Sequence, residues 1–186
     1  MRSPLPLFTV EDYIIAEAES TIRHEYMGGY VFAMAGASEE HNLIAVNLCT
    51  LLRSHLRGSS CRVFMSDMKV KVQDDIFYYP DLLVTCNPED NHRYFKTQPN
   101  LIIEVLSEST ESTDRREKLM NYQTLETLKE YVLVSQDVMQ VEVYRQETPG
   151  SWTVQILGED NQLTWESVGL TVTVAQIYED VLNVGQ

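Results

Sequence analysis

The sequence predicts one domain that combines α-helices with a mixed β-sheet. Two amphipathic helical patterns are separated by short apolar strands, and the last part of the chain alternates apolar and polar residues as an antiparallel meander does. The chain has 186 residues, of which 44% are hydrophobic and 23% are charged. These values are typical of a globular protein with one sizeable core, so we expect a single domain over residues 1–186, with a core at about 36–136 and a C-terminal β extension at about 137–186.

The N-terminal part of the chain predicts a helix followed by a β-hairpin. Thr9 and Asp12 have the spacing of a capping box, which predicts a short helix that begins there and runs through about Ala18. The two glycines at 28–29 separate two short apolar runs within residues 22–34, as in a hairpin with a tight turn.

The next helix is predicted by a hydrophobic stripe that begins shortly after Ser38. Ser38 is a residue type typical of an N-cap, and Gly58 is a typical helix stop. The stripe repeats at helical spacing and consists of Ile44, Ala45, Leu48, Leu51, Leu52 and Leu56. His41 lies near the N-terminus of this helix, where it is either a buried helix-end histidine or a functional contact.

Strands are predicted next over residues 61–66 and 68–72, or as one long strand with a bend between them. Lys69 and Lys71 alternate with valines in the second run, so both lysines are expected on one face of the strand.

Two further strands each carry one acid in an apolar run. Residues 77–84 contain Asp81, and residues 101–106 contain Glu104 among five aliphatic residues. An ionised carboxylate in an apolar strand is unfavourable unless a positive charge meets it. Two such acids indicate a shared cation, although turn capping by Asp81 and a buried ion pair of Glu104 with a lysine or arginine would also explain them.

A third helix is predicted from about Asp114 to Leu125 or Leu128, with Asp114 and Glu117 in capping-box spacing. Lys118 lies on the flank of its apolar stripe. A lysine there can extend its aliphatic stem over the sheet and bring its ammonium to the end of a neighbouring strand.

The rest of the chain is predicted to be mainly β. Alternating apolar residues and the turn at 149–150 predict strands near residues 131–134, 138–144, 151–157, 163–165 and 171–173, followed by a short helix at 175–182.

Charge and cysteine content exclude several classes of protein. The net charge of −14 argues against a general basic surface for nucleic acid, so a nucleic-acid site would need bound divalent ions or a local basic patch. No run approaches the roughly 18 apolar residues of a membrane span. The three cysteines are widely spaced and are expected to be reduced core residues, which predicts a cytoplasmic protein without membrane contact.

Asp81, Glu104 and Lys118 together predict chemistry on a phosphate ester. Mg²⁺ is typically held by one or two carboxylates together with water and substrate phosphates. A nearby lysine can orient or deprotonate an attacking water and stabilise charge on the phosphate, while the metal polarises the phosphoryl oxygen. This combination indicates phosphodiester hydrolysis.

The ordered set of motifs resembles a known nuclease core. Pro80-Asp81 followed by Glu104 in an apolar strand, within an α-β-β-β-α-β order, is similar to the PD-(D/E)xK core of restriction-endonuclease-like proteins. More narrowly, residues from about 8 to 145 resemble the Uma2 family of endonucleases, also known as DUF820. The matching stretches are His24-Glu25-Tyr26 with Gly29, Met34-Ala35-Gly36-Ala37-Ser38 with His41-Asn42, Ser66-Asp67-Met68-Lys69-Val70, Tyr79-Pro80-Asp81, Ile103-Glu104-Val105-Leu106-Ser107, Ser109-Thr110 with Asp114 and Lys118, and Glu130-Tyr131-Val132-Leu133-Val134.

The resemblance implies an αβββαβ core and a Mg²⁺- or Mn²⁺-dependent endonuclease that acts on DNA. It implies that Asp81 and Glu104 are catalytic and bind the metal. The lysine of the parent motif stands two residues after the glutamate, where this chain has Leu106. Lys118, from the following helix, is therefore expected to be the catalytic lysine, and Lys69 is the alternative donor.

Glu25 and His41 match positions of the same family pattern. Each is a possible accessory residue that contacts the metal ligands or the substrate, and each is equally explained as a hairpin or helix-cap feature.

Two other classes of function stay open. The leucine at 106 and the net charge of −14 favour a catalytically silent nucleic-acid-binding protein that keeps the nuclease fold. The meander over residues 138–174 favours an oligomeric interaction protein. In either case a homodimer or higher homo-oligomer is expected, because symmetric pairing covers exposed sheet edges.

Overall fold

Two sheets, packed around two helical segments, contain most of the strands. The computed structural model describes residues 7–108 and 110–182. Along the chain the elements are α1 (Val10–Glu19), β1 (His24–Met27), β2 (Tyr30–Ala33), α2 (Glu39–His55), β3 (Arg62–Met65), β4 (Lys69–Gln73), β5 (Ile76–Tyr78), β6 (Leu82–Thr85), β7 (Phe95–Lys96), β8 (Leu101–Leu106), α3 (Glu111–Thr113), a π-helical turn (Asp114–Lys118), α4 (Leu119–Tyr122), β9 (Glu130–Ser135), β10 (Gln140–Thr148), β11 (Ser151–Gly158), β12 (Gln162–Trp165), β13 (Leu170–Thr173) and α5 (Val174–Ile177).

The larger sheet has six strands in the order β11-β10-β9-β8-β6-β3. Its one parallel pair is β8 with β9, and the helical segment 111–122 connects these two strands as a crossover. The remaining neighbours are antiparallel. Together, α2, β3, β6, β8, the crossover and β9 give the predicted αβββαβ order, and β10 and β11 extend the sheet at one side. The prediction of a mixed α/β fold is confirmed.

The alternation of strand residues divides the core into two layers. Ile103 and Val105 of β8 pack with the apolar face of α2. Ile102 and Leu106, on the other face, pack in one cluster with Tyr122 of the crossover helix and with the leucines that follow it. Because strand side chains alternate, Glu104 shares a face with Ile102 and Leu106 and therefore faces the crossover. The sequence-predicted stripe of α2 is buried at Ile44, Ala45, Leu48, Leu52 and Leu56, and Ser38 caps the helix as predicted.

The second sheet has five described strands in the order β2-β1-β5-β4-β7 and contains the predicted hairpin, so the strands do not form the single mixed sheet that the sequence predicts. The predicted continuous strand at 77–84 is wrong, because the chain leaves the second sheet after β5, passes Pro80 and enters the larger sheet as β6. The chain makes the opposite crossing at Ser66, which adopts a left-handed φ of 56°. The Ser66 amide donates to the Asp81 carbonyl at 2.9 Å, so the two crossings lie side by side.

The crossover helix differs from the predicted one. It begins at Glu111, and Asp114 and Glu117 lie within the π-helical turn instead of forming a capping box. It ends at Tyr122, and Leu125 and Leu128 are buried in the turns that follow. The C-terminal helix is also shorter than predicted, with Thr173 and Gln176 forming its capping box.

The prediction of three reduced cysteines is wrong for two of them. Cys61 and Cys86 form a disulfide, and Cys49 is a free thiol. The cause is the antiparallel register of β3 and β6: Arg62 pairs with Thr85, so the residues just beyond this pair face each other. Within residues 7–108 and 110–182, none of the helices has the length and apolar character needed to cross a membrane. The cytoplasmic location stays a prediction.

Glu130 joins the two-stranded sheet of β12 and β13 to the larger sheet. Its buried carboxylate accepts hydrogen bonds from Arg145 at 3.1 and 3.2 Å, from the amides of Glu166 and Ser167 at 3.1 and 3.0 Å, and from the Ser167 hydroxyl. Because Glu166 and Ser167 follow β12 in the chain and Arg145 lies on β10, one carboxylate holds the turn between β12 and β13 against β9 and β10.

Removing this carboxylate is expected to be costly, since Arg145 and two amides would lose their acceptor inside the protein. We expect Glu130→Ala to lower the free energy of unfolding by about 3–5 kcal/mol. The matched control is Glu166→Ala, which removes the second, 66% exposed partner of Arg145 and should cost no more than about 1 kcal/mol. Urea denaturation measures both values, and equal losses in the two variants would contradict this account.

Candidate active site

An open cleft lies where the chain crosses between the two sheets. Its volume is about 440 Å³, and it is lined by residues of the β1–β2 hairpin, the start of α2, the ends of β3, β6 and β8, and the crossover helix. The ionisable side chains that line it are Glu25, His41, Tyr79, Asp81, Glu104, Asp114 and Lys118. The register of β6 and β8 brings Asp81 and Glu104 together. Leu82 pairs with Ile103, so Asp81, which directly precedes β6, lies beside Glu104.

The carboxylates of Asp81 and Glu104 are each held by a backbone amide of the neighbouring strand segment. The Asp81 amide donates to Glu104 Oε2 at 3.2 Å, and the Val105 amide donates to Asp81 Oδ2 at 2.7 Å. These two bonds hold the carboxylates next to each other at the floor of the cleft. Glu104 is buried, with 3% of its surface exposed, whereas Asp81 is half-buried.

Lys118 meets three carboxylates at once. Its Nζ lies 3.0 Å from Glu25 Oε1, 3.1 Å from Asp114 Oδ1 and 3.2 Å from Glu104 Oε1. The acids come from β1, β8 and the π-helical turn, so the ammonium joins both sheets to the crossover. Tyr122 donates a hydrogen bond to the same Glu104 oxygen at 3.2 Å.

The pKa values follow from this excess of negative charge. Burial raises the pKa of Glu104 well above its usual value; the Lys118 charge opposes the shift, but Asp114, Asp81 and Glu25 add to it. Burial alone would lower the pKa of Lys118, but Glu104, Glu25 and Asp114 outweigh it and raise the pKa well above the usual value. Lys118 therefore stays protonated, and Glu104 ionises with difficulty when no further cation is near.

His41 pairs with Asp81. Its Nε2 lies 3.2 Å from Asp81 Oδ2, and within the described part of the chain its buried Nδ1 has no hydrogen-bond partner. Burial lowers the pKa of His41, but the hydrogen bond and charge of Asp81, with smaller contributions from Val105 and Asp114, outweigh it and raise the pKa.

The structure brings together the predicted residues Asp81, Glu104, Lys118, Glu25 and His41, and their catalytic and metal-binding roles stay predictions. Lys69 lies apart and does not line the cleft. It is buried and donates to the Tyr79 hydroxyl at 3.1 Å, and burial lowers its pKa.

Asp114 is the site residue that the sequence interpretation missed, since it was assigned to a helix cap. Its spacing of four residues before Lys118 was the available signal, because acid–lysine pairs at that distance meet on a helix. Tyr122 had no distinguishing signal, since a tyrosine on an apolar stripe is usually a core residue.

The donor set agrees with a divalent cation of the magnesium type. Within residues 7–108 and 110–182, no group of three or more His, Cys, Asp and Glu side chains is arranged so that it could hold a metal ion. Mg²⁺ does not need one, because it binds through one or two carboxylates and keeps several waters. Asp81 and Glu104 supply two adjacent carboxylates, and the negative charge around Lys118 exceeds what one ammonium balances. The residues present therefore fit Mg²⁺ or Mn²⁺.

Comparison with known proteins supports the resemblance that the motifs carry. The Uma2 family, described as "Putative restriction endonuclease", matches residues 10–175. The chain belongs to the Uma2 family. Two Synechocystis relatives are similar over most of their length: slr1290 is 36% identical, covering 95% of this chain and 94% of that protein, and sll1609 is 31% identical, covering 84% and 92%.

The fold of this Uma2 protein is also found in a solved structure. A crystal structure of "a putative nuclease belonging to DUF820" from Anabaena variabilis superimposes with a TM-score of 0.77 and covers 94% of this chain and 99% of that one. The sequence identity is 16%, so this likeness shows the fold alone.

Neutralising Glu104 tests the charge imbalance. The folded-state pKa of Glu104 is raised, so the folded protein is stabilised by the neutral form of this side chain. This contribution is at its full value below the ordinary pKa of 4.5 and is lost as the pH rises through the folded-state pKa. We expect Glu104→Gln, which cannot ionise, to gain stability relative to wild type as the pH rises above 4.5, by up to about 1.4 kcal/mol per pH unit.

The measurement is urea denaturation in EDTA at a series of pH values. Glu108→Gln is the matched control, because Glu108 is exposed shortly after the same strand and its replacement should follow wild type at every pH. A Glu104→Gln variant whose stability stays constant or falls relative to wild type as the pH rises above 4.5 would contradict the assignment.

Proposed function

We propose that this Uma2-family protein is a Mg²⁺- or Mn²⁺-dependent endonuclease that hydrolyses phosphodiester bonds of DNA. The observation that carries the proposal is the grouping of Glu25, Glu104 and Asp114 around a single buried lysine in an open cleft, with Asp81 held beside Glu104. A structural ion pair needs one acid for one lysine. The additional carboxylates raise the energy of the folded protein unless a cation joins them, which is the arrangement expected of a metal-dependent site.

In this proposal Asp81 and Glu104 hold the metal. A bound Mg²⁺ or Mn²⁺ supplies charge stabilisation at the phosphate and lowers the pKa of bound water. The Asp81 and Val105 amides keep the two carboxylates in place through the reciprocal hydrogen bonds between the strands.

Lys118 acts as a charged donor in this scheme. Because the surrounding carboxylates raise its pKa, it remains an ammonium and does not take up a proton from water. It can orient the attacking water by donating a hydrogen bond and can stabilise the negative charge that develops on the phosphate. The lysine comes from the crossover helix, and this accounts for the leucine at position 106.

Glu25 and His41 are proposed as positioning residues. Glu25 accepts from Lys118 at 3.0 Å and from the Tyr79 amide at 3.1 Å, so it holds the ammonium from the side of the second sheet. His41 holds the orientation of Asp81 from the start of α2.

Cleavage of supercoiled plasmid in Mg²⁺ and in Mn²⁺ tests the assignment. We expect Asp81→Ala, Glu104→Ala and Lys118→Met each to slow cleavage by at least about 10²-fold, the lower end of the usual contribution of one catalytic group. Lys69→Met should keep its activity, with Lys71→Met on the same strand as the surface control.

Two results would overturn parts of this scheme. Metal-dependent cleavage that survives in Asp81→Ala or Glu104→Ala removes the metal-site assignment. Cleavage lost in Lys69→Met and kept in Lys118→Met transfers the role to Lys69.

The second candidate function is a catalytically silent nucleic-acid-binding protein. It is motivated by the net charge of −14 and by the ion pairs that already occupy Lys118, and it is favoured if the wild type does not cleave. Calorimetric titration with Mn²⁺ then decides whether the site holds metal, and Asp81→Ala is the control that should abolish the heat.

We also propose that the protein forms a homodimer through the meander, as the sequence predicts. Among the described strands, β11 pairs only with β10 and forms one edge of the larger sheet. It is eight residues long and carries no charged side chain, while Val154 and Ile156 are 53% and 63% exposed. A long uncharged edge favours pairing with another strand, and a second β11 related by twofold symmetry would satisfy both edges.

Placing like charges on this edge should separate the protomers. We expect Val154→Lys/Ile156→Lys to shift the mass measured by light scattering from that of a dimer to the 21.4 kDa of one chain. Val138→Lys, at an exposed site before β10, is the control and should remain dimeric. A wild-type protein that is monomeric throughout the micromolar range contradicts the dimer.

A further inference from the structure

The cleft lacks the basic residues that bind a duplex backbone. Within the described part of the chain, Lys118 is the one lysine or arginine that lines it, and that ammonium already contacts three carboxylates. Proteins that hold double-stranded DNA neutralise several phosphates with lysine and arginine side chains. Three arginines outside the cleft are already paired with carboxylates: Arg23 pairs with Asp67, Arg115 with Glu111 and Glu142, and Arg145 with Glu130.

The same cleft has an apolar rim. Phe32, Met34 and Met65 line it, and they are 49%, 37% and 41% exposed. Phe32 and Met34 come from the end of the β1–β2 hairpin, and Met65 comes from the end of β3, so two separate parts of the chain place large apolar side chains beside the acids. The residues between the hairpin and α2 at 35–37 are small (Ala35, Gly36 and Ala37), which leaves the mouth of the cleft open.

Exposed apolar groups at the mouth of a polar cleft favour a ligand that has both a charged and a flat apolar part. A nucleotide has both, with its phosphate and its base. Stacking of bases on aromatic side chains contributes a substantial part of the affinity in sites that bind single strands, and methionine sulfur also packs well against rings.

We infer that the cleft takes single-stranded or locally unpaired DNA, with an unpaired base packed on Phe32, Met34 and Met65 and the adjoining phosphate over Asp81 and Glu104. This inference rests on the proposed nuclease function and gives it a substrate class. In a duplex both faces of each base are covered by neighbouring bases, so only an unpaired base presents a ring to this rim. The lower charge density of a single strand also weakens repulsion by a protein of net charge −14.

Binding measurements on the full-length wild-type protein test the inference independently of cleavage. The probes are a fluorescently labelled 12-nucleotide oligothymidylate and the blunt-ended 12-base-pair duplex that the same labelled strand forms with oligoadenylate, titrated by fluorescence anisotropy with and without Ca²⁺. We expect the single strand to bind at least about tenfold more tightly, with a shallow salt dependence that corresponds to about one or two phosphates.

Variants at the rim identify the stacking residue. Phe32→Ala should weaken binding of the single strand by about 5- to 100-fold, the usual effect of losing one stacked aromatic ring, and Phe32→Trp should keep it. Tyr30→Ala is the matched control: Tyr30 is on the same strand and 58% exposed but does not line the cleft, so its loss should leave binding unchanged.

The outcomes separate this inference from the proposed function. Three results would overturn the inference even if plasmid is cleaved. The first is a duplex that binds as tightly as the single strand or more tightly. The second is the absence of binding of either probe at micromolar protein, and the third is a Phe32→Ala variant that binds like wild type. Selective, Phe32-dependent binding without metal-dependent cleavage of single-stranded DNA supports the substrate class and removes the endonuclease assignment. Thermal melting of each variant confirms that these exposed substitutions leave the fold intact.

Discussion

The candidate site depends on the positive charge of Lys118. One ammonium lies 3.0–3.2 Å from Glu25, Asp114 and Glu104, which belong to a hairpin, the crossover helix and the central strand of the larger sheet. Without that charge the three carboxylates would repel each other in an interior that screens them poorly. The same contacts therefore stabilise the junction of the two sheets and determine the shape of the cleft.

The balance of charge connects metal binding with substrate binding. Lys118 does not neutralise all the acids around it, and burial keeps Glu104 difficult to ionise. A phosphodiester brings further negative charge into the same space, so it can bind well only when cations accompany it. In the proposed function, an acidic chain of this kind would reach DNA through bound metal and through contacts with bases, because among the described residues the cleft lining has no basic surface for the phosphate backbone.

The two crossings between the sheets explain why the site lies where it does. Pro80 lacks an amide hydrogen and so interrupts strand pairing, and Ser66 turns the chain in a left-handed conformation. The crossings are joined by the hydrogen bond from Ser66 to Asp81, which brings Asp81 to the start of its strand beside Glu104. The sequence marked this region with an acid after a proline, but the choice of sheet for each strand depends on partners distant in the chain.

The sequence by itself determined the family, most strands and the presence of the helices, because caps, apolar periodicity and motif order depend on neighbouring residues. The alternation of β8 places Glu104 on the same face as Ile102 and Leu106, but only the tertiary structure shows that the crossover covers that face. Only the tertiary structure decided which charges meet: Lys118 and not Lys69 reaches Glu104, and Asp114 is a buried partner of that lysine and not a helix cap. The pairing of Cys61 with Cys86 was decided in the same way. These contacts depend on strand register and on the wider π-helical turn, which long-range packing determines and local sequence preferences do not.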